Sequence, residues 1–272
     1  MTLPNFLIIG AQKAGTTWLV DKLEQHPQVF LADDEVHFFD KPHNFNQGLN
    51  WYQSHFSGSE NYLAIGEKTP EYMFKKHIHS VIADYLPHLK SIAVLRNPVT
   101  RALSHLNHLF RSGVCSPHQN IDELIFDPKS TIIERGFYYQ HLTNYYQFFK
   151  PEDVLILINE EDIAIDPSIA LTKTCKFLEI DPQFNFENAN RKTHKHDQSF
   201  LGMSLAYYLP SSVRPTIMKL DRLLPHKTYS LSVSQATREK LYKVYEQENQ
   251  NLFNLLGRQI DAWNAPENAL LN

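Results

Sequence analysis

The sequence predicts an α/β fold, a parallel sheet flanked by helices on both faces, and three observations predict it. Short apolar runs alternate with helix-period segments along the chain. Three of those runs end in charged or hydroxyl residues at a helix start. The first run enters a loop bracketed by Gly10 and Gly15. Alternation of this kind marks a parallel sheet whose crossovers are helices, and ligands in such folds bind beyond the carboxyl ends of the strands.

The elements follow in order. Phe6–Ile9 reads as a buried strand, and Thr17–Gln25 as a short helix with Trp18, Leu19 and Leu23 on its apolar face, ending before Pro27. Val29–Ala32 is a brief strand, 33–40 a loop of charge and aromatics, and 41–60 a polar and aromatic surface excursion. Tyr62–Gly66 is a strand that turns at Glu67-Lys68-Thr69-Pro70 into a helix starting near Glu71, with Thr69 as N-cap and Pro70 at the first helical position. Ser91–Leu95 repeats the pattern, with Arg96 at the strand end, Asn97 as N-cap and Pro98 as first helical residue. Val99, Ala102, Leu103, Leu106 and Phe110 then recur at helical spacing, while Arg101, Ser104 and His108 fall on another face. Asp153–Asn159 is a strand, Pro167–Leu178 a helix, and Ser234–Leu256 a long amphipathic helix.

The whole chain sets bounds on these elements. Its 272 residues suit one domain over 1–272. An apolar fraction of 42% and an aromatic fraction of 12% suit a packed core. No apolar run approaches the roughly 18 residues of a membrane span, and Met1–Pro4 lacks a signal peptide's charged region, so a cytoplasmic protein without a membrane anchor is expected. Cys115 and Cys175 form no C-x-x-C pair, and His194-Lys195-His196 lacks a third ligand at metal-site spacing, so neither disulfide nor metal is predicted. A net charge of −4 argues against a nucleic-acid partner. Lys75, Lys76, His77 and His79 read as a solvated helix face.

The opening loop carries the chemistry. In the nucleoside triphosphate P-loop, G-x-x-x-x-G-K-[ST], the lysine follows the second glycine. Here Gly10 and Gly15 keep the spacing, but Lys13 lies inside the loop and Thr16 takes the lysine's place, followed by Thr17. The amides from Ala14 through Gly15 to Thr17, at the start of a helix, still suit an anion. Arg96 and Ser104 could hold a second phosphate by charge-assisted bonds and a hydroxyl. Two separated phosphate sites suggest a nucleotide phosphorylated at both its 5′ and 3′ positions.

These residues resemble the sulfotransferases that use 3′-phosphoadenosine 5′-phosphosulfate (PAPS). Ile9–Thr17 is similar to the family's 5′-phosphosulfate loop, and Leu95–Pro98 through Arg101 and Ser104 to its 3′-phosphate block. Asp34–Asp40, Gly66–Tyr72, Gly136–Tyr139 with His141-Leu142, and the terminal stretch with Tyr242, Tyr245, Asn249 and Leu252–Trp263 resemble its heparan-sulfate O- and N-sulfotransferase-like branch and bacterial relatives. The resemblance implies sulfuryl transfer from PAPS to a hydroxyl or amine of a carbohydrate, lipid or small-metabolite acceptor, leaving adenosine 3′,5′-bisphosphate, with no metal. It implies that Lys13 stabilises the departing phosphate, that Arg96 and Ser104 bind the 3′-phosphate, and that Lys68 reaches the sulfuryl group. Glu35 is implied as general base with His37 orienting it or replacing it, and Glu67 is a second candidate, as in N-type enzymes. Between the two carboxylates the sequence does not decide.

Family members carry a basic, glycine-bearing loop that closes over the nucleotide. Asn190–Lys195 is basic but lacks glycine; it is expected to be a lid, with Arg191 and Lys192 contacting the 3′-phosphate. Walls for the acceptor are expected from 45–56, 112–135 and 200–208. A P-loop NTPase or small-molecule kinase is the alternative on the glycine spacing alone, but it needs a lysine after Gly15 and an acidic magnesium ligand, for which Glu67 or Glu160 is a poor substitute. A nucleotide-binding module without catalysis is the third class.

Overall fold

The computed structural model describes residues 2–116, 118–127, 129–189, 199–210, 212–223 and 233–264. They group into two compact units, Met1–Asn97 with Tyr138–Thr193, and Pro98–Phe137 with His194–Asn272.

The first unit holds one five-stranded sheet, wholly parallel, in the order β2-β3-β1-β4-β5. Its strands are β1 (Phe6–Gly10), β2 (Val29–Leu31), β3 (Ala64–Lys68), β4 (Lys90–Leu95) and β5 (Val154–Ile158). Phe6, Leu7, Ile8 and Ile9 are all fully buried, as a central strand covered on both faces must be. Ile8→Ala there would cost about 2–5 kcal/mol through lost burial and a cavity. The helices of this unit are α1 (Thr16–Leu23), α2 (Pro42–Phe45), α3 (Leu49–Ser54), α4 (His79–Tyr85), α7 (Tyr138–Tyr145) and α8 (Pro167–Leu178). Asp166 starts α8 by accepting the Ser168 amide at its side chain, 3.0 Å away, with Pro167 in the first turn.

The second unit is helical among its described residues: α5 (Pro98–Arg111), α6 (Ile121–Phe126), α9 (Phe200–Tyr208), α10 (Arg214–Leu223) and α11 (Gln235–Leu256). Val99, Ala102, Leu106 and Phe110 of α5 pack with Ile125, Ile132, Met203, Leu241 and Tyr245. Ser234 caps α11, its hydroxyl accepting the Thr237 amide at 3.0 Å.

The α/β expectation holds, and four local readings are corrected, one of them the solvated face expected to include His79, which is buried with its ring 2.8 Å from the Tyr72 carbonyl. The strand expected to end at Gly66 runs on through Glu67 and Lys68, which pair in register with Leu7 and Ile8 of β1. No helix begins at Glu71; the chain turns there, and α4 starts only at His79. The Thr69 hydroxyl is spent on Glu67 rather than on a helix amide, and the Met73 amide bonds the Ile9 carbonyl at 2.9 Å, tying the turn to β1. The excursion at 41–60 is not merely surface: it contains α2 and α3, and Tyr52 and Phe56 are fully buried. Tyr52 stacks on Phe38 with ring centroids 4.4 Å apart, so apolar aromatic area anchors this polar-looking stretch.

Candidate functional site

The strand order sets the carboxyl ends of β3, β1, β4 and β5 side by side. The loop after β1 is built by backbone that few residues can adopt. Lys13 has φ of 68° and Gly15 φ of 116°, and a Cβ on Gly15 would lie 2.8 Å from Asn159 Nδ2. That same Asn159, just past β5, donates to the Ala14 carbonyl at 2.8 Å, and Arg96, just past β4, points Nη1 at the Lys13 carbonyl, 3.4 Å away. Glu160 accepts the Asn97 amide at 3.0 Å. The Ala14 amide turns back to the Ala11 carbonyl at 3.2 Å, which leaves the first-turn amides of α1 as the loop's donors. Gly15, the residue before α1, brings no capping side chain to them.

Past β2 and β3 lies a relay of charged groups. Lys68 Nζ stands 2.7 Å from Glu35 Oε1, and His37 Nε2 stands 3.3 Å from Glu35 Oε2. On its other side, His37 Nδ1 meets Asp40 Oδ1 at 2.9 Å and Oδ2 at 3.0 Å. Lys75 adds a cation 3.6 Å from Asp40. The Asp40 hydrogen bond, then that of Glu35, raises His37 to about 9 against its partial burial. Burial pushes the Glu35 carboxyl up, but the hydrogen bonds and charges of His37 and Lys68 outweigh it and bring it down to about 2. Burial likewise works on Asp40, and the His37 bond and cationic neighbours overcome it, lowering its carboxyl. Its His37 ring and Asp40 are sheltered while Glu35 keeps 39% of its side chain exposed, so the relay leads from the interior to solvent.

Glu67 faces the other way. It is fully buried on β3, and Tyr52 and Tyr72 donate to Oε1 at 2.9 Å each while Thr69 donates to Oε2 at 2.7 Å. Burial raises its carboxyl, and the three hydroxyls oppose the rise. The Tyr72 hydroxyl also receives the Phe38 amide at 3.0 Å, so this cluster fixes the turn that carries Glu35 and His37.

Beside Glu35 and Lys68 opens a cleft of about 640 Å³ whose lining includes Thr17 in the first turn of α1. The structure therefore gathers Glu35, His37 and Lys68 into one relay, and Lys13 and Arg96 into one loop contact. Thr16 is buried and Thr17 half-buried at the start of α1. Ser104 is half-buried on α5, in the second unit; on the same helix Arg101 is fully buried and donates to the Ile132 carbonyl. Arg191, Lys192 and the His194/His196 pair lie outside the described residues. Sequence reasoning missed Asp40 and Asn159. The signal for Asp40 was its spacing, three residues after His37; Asn159 carried only its position at a strand end.

The residue types gathered here, the first amides of α1 with Lys13 and Arg96 beside them, are of the kind an anionic nucleotide group needs, and Gly15 lets Asn159 close on the loop where a Cβ would collide with it. Among the described residues no group of three or more His, Cys, Asp or Glu is arranged to hold a metal ion.

Comparisons with known proteins place the chain by family and by fold. The sulfotransferase domain profile matches residues 3–209. The chain is 27% identical over 195 residues to human heparan sulfate glucosamine 3-O-sulfotransferase 5, covering 68% of this chain and 56% of the relative. It is 28% identical over 290 residues to the Caenorhabditis elegans bifunctional heparan sulfate N-deacetylase/N-sulfotransferase 1, covering 96% of this chain and 31% of the relative. It thus spans about half the length of the first and under a third of the second. Its fold matches the crystal structure of a sulfotransferase from Alicyclobacillus acidocaldarius with a TM-score of 0.73 at 24% identity, over 97% of this chain and 99% of the other. With the profile covering well over half of its residues, the chain belongs to the sulfotransferase domain family.

Proposed function

We propose that the protein transfers a sulfuryl group from PAPS to a carbohydrate hydroxyl, with Glu35 as general base. The observation that carries the reading is the Glu35 carboxylate held between Lys68 and His37 at a cleft that also takes in Thr17, on the first turn of α1 just after the phosphate loop. PAPS supplies an activated sulfuryl group: the bond from sulfur to the 5′-phosphate oxygen breaks as the acceptor oxygen bonds sulfur, and adenosine 3′,5′-bisphosphate leaves.

The chain's residues divide the remaining work. Lys13 and the first amides of α1 hold the 5′-phosphate and neutralise charge as it accumulates there. Arg96 serves the nucleotide from the end of β4, with Ser104, Arg191 and Lys192 proposed for the 3′-phosphate. Glu35 Oε2 or Oε1 takes the acceptor proton, and His37, oriented by Asp40, stabilises the carboxylate. Lys68 is shared between Glu35 and the sulfuryl oxygens. Glu67 is assigned a positioning role rather than that of base, because its oxygens are buried under three hydroxyl donors.

A carbohydrate acceptor is supported by the names of the human and nematode relatives, both of which act on heparan sulfate. No helix among the described residues is long and apolar enough to cross a membrane, and a cytoplasmic location is part of the proposal. Incubation with ³⁵S-labelled PAPS and a panel of oligosaccharides in excess chelator tests the reading. Labelled product in chelator is expected, and its absence across the panel while bisphosphate binds tightly would favour a binding module instead.

A further inference from the structure

The segment that follows β5 bonds to both of the backbone elements assigned to the nucleotide. The chain leaves β5 in a π turn, with the Ala164 amide on the Asn159 carbonyl at 2.8 Å. Turns of this kind are rare and recur at functional sites. This one is fastened from inside: buried Asp162 accepts the Ile158 amide at 2.6 Å and the Lys173 ammonium at 2.6 Å. Its first two side chains then diverge. Asn159 reaches past the end of β4, the strand between β5 and β1, and donates Nδ2 to the Ala14 carbonyl at 2.8 Å. Glu160 turns to the end of β4 itself and accepts the Asn97 amide on Oε1 at 3.0 Å.

Each contact fixes one peptide plane. The Ala14 carbonyl shares its plane with the Gly15 amide, and in a trans peptide the two point to opposite sides. Holding that carbonyl on Asn159 therefore aims the Gly15 amide the other way, between two positive-φ residues, Lys13 and Gly15. At β4 one plane is held on both edges: its carbonyl, from Arg96, receives the Tyr138 hydroxyl at 2.9 Å, and its amide, from Asn97, bonds Glu160. That clamp sets the backbone torsion at Arg96 and so the direction in which its side chain leaves the strand. A buried amide needs an acceptor of some kind. What exceeds that need is that two neighbouring residues of one turn serve both elements.

We propose that Asn159 and Glu160 are positioning residues that brace the two phosphate sites separately. Asn159 aims the loop amides that take the 5′-phosphate, and Glu160, together with Tyr138, aims Arg96 at the 3′-phosphate. The proposal rests on the nucleotide reading above. Neither Asn159 nor Glu160 is assigned a contact with the nucleotide; each acts through the backbone it holds. Their common turn keeps the two sites at a set separation, so a nucleotide phosphorylated at both positions is matched as a unit.

Titration calorimetry of the full chain with adenosine 3′,5′-bisphosphate, 5′-AMP and 3′-AMP tests the division. The dissociation constant of 5′-AMP over that of the bisphosphate gives the gain from the 3′-phosphate, and the same ratio for 3′-AMP gives the gain from the 5′-phosphate. Glu160→Ala should cut the 3′ gain by about fivefold to tenfold, the scale of one lost hydrogen bond, and leave the 5′ gain within about twofold. Asn159→Ala should do the reverse. Glu160→Gln keeps an acceptor oxygen for the Asn97 amide and should return the 3′ gain to within about twofold of native. Tyr138→Phe removes only the hydroxyl on the Arg96 carbonyl and stands in for Glu160→Ala if that variant does not fold; Asn159→Ser stands in for Asn159→Ala. Both gains falling together in either variant, neither gain falling, or Glu160→Gln no better than Glu160→Ala would overturn the proposal. A native chain that binds the bisphosphate no more tightly than the monophosphates would strike the nucleotide reading itself, and the brace with it.

Discussion

Lys68 Nζ lies 2.7 Å from Glu35 Oε1, an ion pair in which the carboxylate proposed as base is held by the lysine proposed to serve the sulfuryl group. With His37 at its second oxygen, Glu35 falls to about 2 and is a weak base while both partners remain. Drawing Lys68 towards an anionic sulfuryl group removes one of the two and makes Glu35 more basic. In the proposed mechanism Glu35 therefore gains basicity when the donor draws Lys68 away.

Glu35→Gln keeps the shape and the Lys68 contact but removes the proton acceptor. Its kcat should fall by about 10²–10⁴, the usual range for a positioned general base. Bisphosphate affinity should stay near native, because Glu35 is not assigned to the nucleotide. Label transfer from PAPS and calorimetry on the same preparation separate the two; a kcat within a few-fold of native would remove Glu35 from the role.

Asp40 acts through His37, so its substitution should appear in a pH profile. His37 is raised from about 6.5 to about 9, chiefly by Asp40. Its ionised form therefore contributes fully below about pH 6.5, and the contribution is lost as pH rises through about 9. Asp40→Asn should move the alkaline limb of kcat/KM downward from near 9. A limb that stays in place would mean another group sets it.

Glu67 should matter to stability more than to acid–base chemistry. Glu67→Leu leaves the Tyr52, Tyr72 and Thr69 hydroxyls without their acceptor, at about 1–3 kcal/mol for each group that finds no other. Glu67→Gln keeps an acceptor oxygen and should cost markedly less. Urea denaturation of both variants checks the order, and equal losses would contradict the hydrogen-bond account.

Gly15→Ala places a side chain where φ is 116° and where a Cβ meets Asn159 Nδ2 at 2.8 Å. Either the loop shifts or Asn159 releases the Ala14 carbonyl. Bisphosphate affinity should drop by about tenfold or more, by analogy with the 1–3 kcal/mol cost of a strained backbone position. Calorimetry at native-like melting temperature would read the effect, and unchanged affinity would show the loop to be tolerant.

Much of this was legible in the sequence because it rests on local rules. Four of the five strands lie on the apolar runs, β3 alone running past its apolar stretch into Glu67 and Lys68, and Pro98, Pro167 and Ser234 mark helix starts that the structure places there or one residue on. The Lys13 loop and Arg96 were visible as strand-end residues, and the sheet order then brought them into contact. What sequence could not supply was burial. Glu35 and Glu67 were equal candidates until the fold enclosed one and exposed the other. The turn at Thr69 read as a helix start because its hydroxyl has two possible partners, a helix amide or a carboxylate, and only tertiary packing selects between them. Asp40 needed the positive-φ backbone at His37, φ 53°, within the turn that brings ring and carboxylate together.

The most direct measurement is a calorimetric titration of the native chain and Lys13→Ala with adenosine 3′,5′-bisphosphate and, separately, with ATP, each with magnesium and in chelator. The predicted result is tight bisphosphate binding that is indifferent to chelator, weaker ATP binding under both conditions, and a loss of about tenfold or more in the variant. Magnesium-dependent ATP binding tighter than bisphosphate binding, or full bisphosphate affinity in Lys13→Ala, would contradict it.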